Sequence, residues 1–408
     1  MNTGSRGTVL VSGASIAGPA LAFWLHKYGF TVTAVEKSAG VRDGGYPIDV
    51  RGTAVAVAHG MGILPQLQQA HIDTRRVTFL NADGSRAAVV HPQAVVGGID
   101  GHDLEIPRGT LTNVLYAAVR NNVEFVFDDS IDALTEHDHG VDVTFRSGAQ
   151  RSFDLVVGAD GLHSRTRALA FGPEQHYLRY LGYCFSICAM PNTFGLSHEA
   201  LIWNTPGRAA ALYAVGDGSD VHALLTFAHS EPSHEVLRAA DTRRELISTV
   251  FGDDGWKIPT IVDAMHHAPD PFFDTVSQIH MPQWSSGRVA LVGDAAYAPS
   301  FLTGQGSSLA LVGAYMLADS LAAHDDHTTA FTAYERASRG FVDLNQAQIS
   351  TGEAALIPTT ADALEARNHR LRSLTTSPPT TGRPAHTALT LPDPRPAAVR
   401  SEIAVHRK

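Results

Sequence analysis

Short apolar runs rich in β-branched residues alternate with helically spaced ones from the start of the chain. Thr8 to Ser12 is one such run, Pro19 to Tyr28 carries Leu21, Trp24, Leu25 and Tyr28 at helical spacing, and Thr31 to Val35 is a second β-rich run. The pattern predicts a βαβ unit. Gly29 stands where the helix should stop, and the apolar second strand implies a parallel sheet buried on both faces. Leu155 to Val157 and Val289 to Val292 have the same continuously apolar character, and each ends in a glycine-acid turn. Between them, Val77 to Ala82, Ala210 to Ala214 and Val221 to Ala228 alternate, as antiparallel strands with one exposed face do; they predict a second, inserted domain. Gly306 to Ala323 reads as a long amphipathic helix, Thr328 to Gln348 as another with Phe331, Tyr334, Phe341 and Leu344, and the helical pattern ends near Leu374. No internal repeat is visible.

Composition narrows the class. The chain has 408 residues, 44% hydrophobic and 18% charged, enough for a large core and two or three domains. It contains no run of about 18 apolar residues and Met1 to Gly7 are polar, so neither a membrane span nor a signal peptide is expected, and a cytoplasmic protein follows. Cys184 and Cys188 fall in one predicted strand on the same face, too far apart for an easy bridge, and are read as reduced packing residues. The net charge of -10 argues against a nucleic-acid partner, which would need clustered Lys and Arg. From Arg367 onward the chain carries eight Lys or Arg against Asp393 and Glu402, a local charge of +6 against about -16 for the rest. Pro378, Pro379, Pro384, Pro392, Pro394 and Pro396 make residues 375–408 a proline-rich tail, expected to be flexible and dispensable and at most to fold against the acidic body.

The candidate chemistry begins at the first βα turn. Gly13-Ala14-Ser15-Ile16-Ala17-Gly18 is a dinucleotide fingerprint with serine in place of the second glycine. Gly13 allows the tight turn, Gly18 lets helix and strand pack closely, and the helix start offers free N–H groups to a pyrophosphate. Ser15 is small enough to keep that approach, and its hydroxyl can bond a phosphate oxygen. Glu36, followed by Lys37, ends the second strand 23 positions after Gly13, the place of an acid that binds an adenosine ribose and repels a 2′-phosphate. The site therefore suits FAD or NAD. A hydrolase nucleophile elbow around Ser15 is the rival, but it leaves Gly18 and Glu36 unexplained.

Two further motifs follow, Gly158-Ala159-Asp160-Gly161 with Ser164 and Arg167, and Gly293-Asp294-Ala295-Ala296. In this order, across residues 9 to 323, the chain resembles the class A single-component FAD-dependent monooxygenases, the p-hydroxybenzoate hydroxylase family, including its tetracycline-degrading members. The resemblance implies that Asp294 binds ribityl or ribose hydroxyls of FAD and that Asp160 and Gly161 support the FAD pyrophosphate and a transient nicotinamide. It implies that Arg108, in Ile106-Pro107-Arg108-Gly109, opens a helix near the flavin and contacts FAD. Arg42 with Gly44 and Gly45 resembles the mobile loop beside the isoalloxazine, and Ile131 the position whose backbone meets adenine. Pro299 to Gly306 is a loop running into the long helix, in which Gly304-Gln305-Gly306 leaves N–H groups to stabilise the reduced flavin anion. Tyr297 stands where many relatives have histidine, and Ser307-Ser308 replaces an asparagine-containing helix start.

These readings predict an α/β fold, a Rossmann-like FAD-binding domain with an inserted mixed-sheet substrate domain and C-terminal helices. Residues 1–75, 100–175 and 280–325 are assigned to the FAD-binding domain, 76–99 and 176–279 to the substrate domain, and 326–374 to the C-terminal helical segment. The resemblance implies that NADPH or NADH reduces FAD and that a C4a-flavin hydroperoxide oxygenates a small aromatic or polyketide-like substrate. The expected partners are that substrate and O2, in a monomer or homodimer. A flavin-dependent dehydrogenase or reductase, and a non-redox FAD-binding protein, are the alternatives. Trp203, Tyr213, Phe227, Phe272, Phe273 and Met190 are candidates to face a ring-shaped substrate. No catalytic base stands out, and the 21 histidines form no convincing metal site. Asp254 to Pro259 resembles part of a flavin-halogenase motif but has one tryptophan, Trp256, where that motif has two.

Overall fold

The computed structural model describes residues 5–41, 45–99, 101–214, 218–233, 236–237, 239–268, 271–374 and 381–396. Arg42 and Gly44 lie outside the described residues. The continuously apolar runs form one sheet in the spatial order Ser285–Ser286, Val289–Leu291, Leu155–Gly158, Thr8–Ser12, Thr31–Glu36, Glu124–Phe127. All neighbours pair in parallel except the Ser285–Ser286 edge. Side chains alternate between two covers, as strands buried on both faces require. Val9, Val11, Val32, Ala34, Leu155 and Val157 face the helices Ala17–Lys27, Arg108–Val119 and Gly306–Ala323. Leu10, Val35, Val156 and Val289 face a meander of Ile131–His137, Gly140–Phe145 and Gln150–Phe153.

The alternating segments form a second, mixed sheet in the order Phe272–Ile279, Leu178–Pro191, Asp220–Ala228, Arg208–Ala214, Glu199–Thr205, Arg76–Leu80, Arg86–Val90. Its Glu199–Thr205 and Arg76–Leu80 strands run parallel. One face is sealed by the helices Ala240–Phe251 and Ile258–His267 over Cys184, Cys188, Met190, Trp203, Phe227 and Phe273. Both cysteines are free thiols there. Trp256 stacks on Trp203 and Asp254 pairs with Arg208, so the halogenase-like fragment is packing structure. The opposite face, with Phe185, Ile187, Tyr213 and Leu224, turns toward Leu302 and the C-terminal helices. Of the six substrate-facing candidates, Tyr213 and Phe272 stay off the sealed face, while Trp203, Phe227, Phe273 and Met190 are core.

Residues 381–396 depart from the expected flexible tail. Arg383 donates to Gly97 O and Val95 O, and Asn345 Nδ2 donates to Ala385 O at 3.0 Å. Thr53 Oγ1 donates to Leu389 O at 3.0 Å, Tyr315 OH to Pro392 O at 2.6 Å, and Arg395 pairs with Asp319 at 2.8 Å. Prolines remove N–H donors but leave carbonyl acceptors, so a proline-rich strap docks by accepting bonds from side chains on the body. His386 is 2% exposed, and burial with Arg51 and Arg383 nearby pushes its imidazole down to about 4. Residues 375–380 and 397–408 lie outside the described residues. Ending the chain after Leu374 is therefore expected to lower Tm by several degrees, and Tyr315→Phe to cost about 1 kcal/mol. Calorimetry checks both, and an unchanged Tm in the shortened protein would contradict the docked strap.

Candidate functional site

The site is built at the ends of the parallel strands, where the chain leaves Thr8–Ser12 and Leu155–Gly158 in diverging directions, the place where such sheets open a crevice. Gly13 has φ 105°, and a Cβ on Gly18 would lie 1.9 Å from Gly13 O. Only glycine at 18 lets the helix start against the strand. The N-cap Ile16 offers no side-chain acceptor and the first turn holds no acid, so the positive helix end is left for an anion. Gly293 brings the third motif to the same place, since its Cβ would lie 3.0 Å from Ala17 Cβ. The next residue, Asp294, lies by the start of the Gly306–Ala323 helix, with Oδ1 3.8 Å from where a Gly306 Cβ would be. That helix too has no side-chain N-cap bond and no acid in its first turn. One uncapped helix start thus lies at the Asp294 carboxylate, and the other packs on the glycine just before it.

Arg108, the first residue of its helix, donates from Nη2 to Ser15 Oγ at 2.8 Å. Ser15 is thereby an acceptor held by a cation, and among the described residues no histidine activates it as a nucleophile. Glu36 accepts from Ala14 N at 2.9 Å and Ser38 N at 3.0 Å, which ties the tip of the second strand to the fingerprint loop; Lys37 beside it is exposed. Asp160 is committed within its own turn, accepting from Ser164 Oγ, Thr166 N and Thr166 Oγ1. What this motif offers the crevice is the turn at Gly161, φ 83°, where a Cβ would meet nothing. Gly45 packs against Arg108, 3.2 Å from Cβ to Cβ position. Ile131 is buried under the meander with Leu10 and Val35. Pro299 O accepts from Gln278 Nε2, and Gln305, fully buried, bonds Gly304 O through Nε2 while its Oε1 has no partner.

Asp294 has no hydrogen-bond partner among the described residues. Burial pushes its carboxyl up to about 6, against the pull of Arg108. An acceptor so placed fits a ligand hydroxyl, and with Arg108 and the two helix starts the donor set fits the sugar and phosphate parts of a flavin dinucleotide. Tyr297 instead points away from the crevice, its hydroxyl 2.9 Å from that of Tyr334 in a buried pair beside Trp284.

Sequence reasoning passed over three elements of the crevice. Tyr46, Phe185 and Phe301 join Phe272, a residue the sequence had offered, in a chain of ring contacts from the parallel sheet's side to the mixed sheet. Asp49 and Glu105 stand opposite one another on the antiparallel ribbon Pro47–Val50 and Leu104–Pro107. Their signal was an acid inside a short β-rich run. Finally, His163, two residues after Gly161, bridges Glu174 at 2.9 Å and Asp274 at 3.2 Å, tying the second motif to the mixed sheet.

Two predictions follow from these charges. Asp274 and then Glu174 raise the His163 imidazole to about 10, so its stabilisation is complete below the ordinary histidine value and fades as pH rises through about 10. The Tm deficit of His163→Gln should be largest near pH 6 and vanish by about pH 10. For Asp294 the sign is opposite, because a raised carboxyl penalises the folded state as pH rises from about 4 through about 6. Asp294→Asn should weaken FAD by about 10- to 100-fold in a flavin-fluorescence titration. It should also raise Tm of the flavin-free protein at pH 8 but not at pH 4; tight FAD binding by the variant would contradict this placement.

Comparison with known proteins supplies the group that this donor set fits. A family model described as an FAD binding domain matches residues 6–336. A flavin-dependent monooxygenase from an unknown prokaryotic organism is 38% identical over 88% of this chain and 94% of its own length. An uncharacterized protein of Mycobacterium tuberculosis is 41% identical over 84% of this chain and 92% of its own. Among solved structures, the tetracycline destructase Tet(55) superposes with a TM-score of 0.82 at 35% identity, covering 95% of this chain and 99% of that one.

Proposed function

Because this chain belongs to the flavin-dependent monooxygenases built on an FAD-binding domain, we propose that it uses NADPH or NADH and O2 to oxygenate a small fused-ring or aromatic compound in the crevice between its two sheets. The observation that carries the substrate reading is the crevice's polarity. The rings of Tyr46, Phe272, Phe185 and Phe301 contact one another in series, and a separate polar group is formed by Asp49, Glu105 opposite it, and Tyr213 within range of both charges. Such a wall suits a flat apolar body with a polar, hydroxylated edge.

In this reading the Ala17 helix start with Gly13, Ser15, Ile16 and Gly18 holds the FAD pyrophosphate, and Glu36 with Lys37 meets the adenosine ribose. Ile131 lies toward the adenine, and Asp160 and Gly161 shape the turn beside the pyrophosphate. Arg108 and Asp294 hold the ribityl chain, while Pro299 and the Gly304-Gln305-Gly306 helix start face the isoalloxazine. Gly45, packed against Arg108, borders its path. Bound FAD supplies the redox chemistry, taking two electrons from the nicotinamide and passing one oxygen atom of O2 to the substrate while the other leaves as water. The chain's own residues bind and orient: the uncapped helix start at Gly306 favours negative charge beside it, and the aromatic wall keeps water from the reacting carbon. The free thiols support a reducing, cytoplasmic setting.

The likeness to a tetracycline destructase makes tetracycline the first substrate to try. Purified protein loaded with FAD is expected to oxidise NADPH or NADH faster with tetracycline, an aromatic polyketide or a simple phenol present, to consume O2 in step, and to yield a product heavier by one oxygen. Product formation without O2 uptake would point to a dehydrogenase or reductase. Failure of either nicotinamide to reduce the flavin would point to a non-redox role.

A further inference from the structure

The cofactor reading leaves the polar end of the crevice unused. Asp49 and Glu105 are direct cross-strand partners, so their side chains leave the ribbon on the same face. Asp49 reaches the loop before the long helix, its Oδ2 3.0 Å from where a Gly304 Cβ would be. Across the crevice, Tyr213 sits opposite His222 on the mixed sheet, close enough that the charges of Glu105 and Asp49 add to burial in raising its phenol. The two acids differ in one respect. Asp49 is paired with the Arg51 guanidinium, whereas no cation pairs with Glu105 among the described residues; the Thr74 hydroxyl meets its carboxylate, and His71 and Ile72 meet its backbone. Opposed like charges destabilise an antiparallel pair, so Glu105 does not serve the ribbon that carries it.

A cavity of about 190 Å³ opens beside Glu105, between residues 71–75 and 91–93. It is smaller than the roughly 300–1,000 Å³ of a whole small-molecule site, and so takes the edge of a ligand. Gln93 lines it while only 7% exposed. Its Oε1 accepts from Arg51 Nη1 at 2.9 Å, and its amide NH2 has no acceptor among the described residues. An amide NH2 with no protein acceptor at a cavity wall is free to donate to an oxygen of the ligand.

We propose that Glu105 is the catalytic proton acceptor for the substrate, taking the hydrogen of an enolic or phenolic hydroxyl at the ring edge while the Gln93 amide donates to a neighbouring oxygen. This rests on the crevice being the substrate site. The substrate O–H bond breaks, the proton passes to a Glu105 carboxylate oxygen, and the electron pair stays on the substrate oxygen, enriching the ring carbon to be oxygenated. Burial first and the Asp49 charge second push the Glu105 carboxyl up to about 7, against Arg51 and the Thr74 hydroxyl, where a base is both deprotonated and basic near neutral pH. The other charged or titratable groups facing it are Tyr213 on the mixed sheet and His71, Asp73, Arg75 and His91 around the cavity.

The test uses the FAD-loaded enzyme, tetracycline as probe, and Glu105→Gln. Wild-type kcat/KM is expected to fall about tenfold per pH unit below about pH 7. The variant should lose about 100-fold in kcat/KM and lose that acid limb. Glu105→Gln should also keep or raise Tm at pH 8, because it removes a like charge; a lowered Tm would mark Glu105 as structural and overturn the assignment. A variant that retains the rate and the acid limb overturns the Glu105 assignment while leaving the monooxygenase reading intact. A wild type that oxygenates neither tetracycline nor any phenol overturns both.

Discussion

The close approach of the Gly18 backbone to the Gly13 carbonyl governs the rest of the molecule. With a Cβ at 18 only 1.9 Å from that oxygen, any other residue would push the Ala17–Lys27 helix off the sheet and move its uncapped start. Three other elements are registered on that start: Gly293 against Ala17, Arg108 through Ser15, and Glu36 through the Ala14 amide. Displacing the helix would unseat all of them together. The constraint is steric, so no hydrogen bond can compensate for it.

From that anchor the crevice acquires its two characters. Its parallel-sheet side concentrates positive potential, from two helix starts and Arg108, near the Asp294 carboxylate, which has no hydrogen-bond partner among the described residues. Its mixed-sheet side is the face turned away from the Ala240–Phe251 and Ile258–His267 helices, which packs on Leu302 and the C-terminal helices. That face carries both aromatic rings and polar groups. Bound cofactor and substrate would then share a space whose electrostatics come from different sheets, and His163 ties the turn after one sheet to the other through Asp274.

The docked strap shows how a segment without apolar periodicity can belong to a fold. Leu389 and Pro392 contribute carbonyls, Arg395 contributes a cation to Asp319, and the donors come from Thr53 and Tyr315 on separate helices. The excess positive charge of this region meets an acidic body, and a docked strap is one way for that charge to be used.

What the sequence determined by itself is what local sterics and periodicity encode. The β-rich runs at Thr8, Thr31, Leu155 and Val289 became neighbouring strands of one sheet, the helix at Gly306–Ala323 kept its limits, and the α/β fold with its FAD-binding character was legible in three short motifs. Glycine spacing and continuous apolar runs carry that information within a few residues. The tertiary structure alone decided which side of a strand meets the crevice. Trp203 and Phe227 are indistinguishable from Tyr213 and Phe272 as aromatic residues, yet the Ala240–Phe251 and Ile258–His267 helices seal the first two away. Only chain folding could set Glu105 across from Asp49 and leave it without a cation among the described residues, or lay Pro392 against Tyr315. Those pairings join residues dozens of positions apart in sequence, and no periodicity within either segment records its partner.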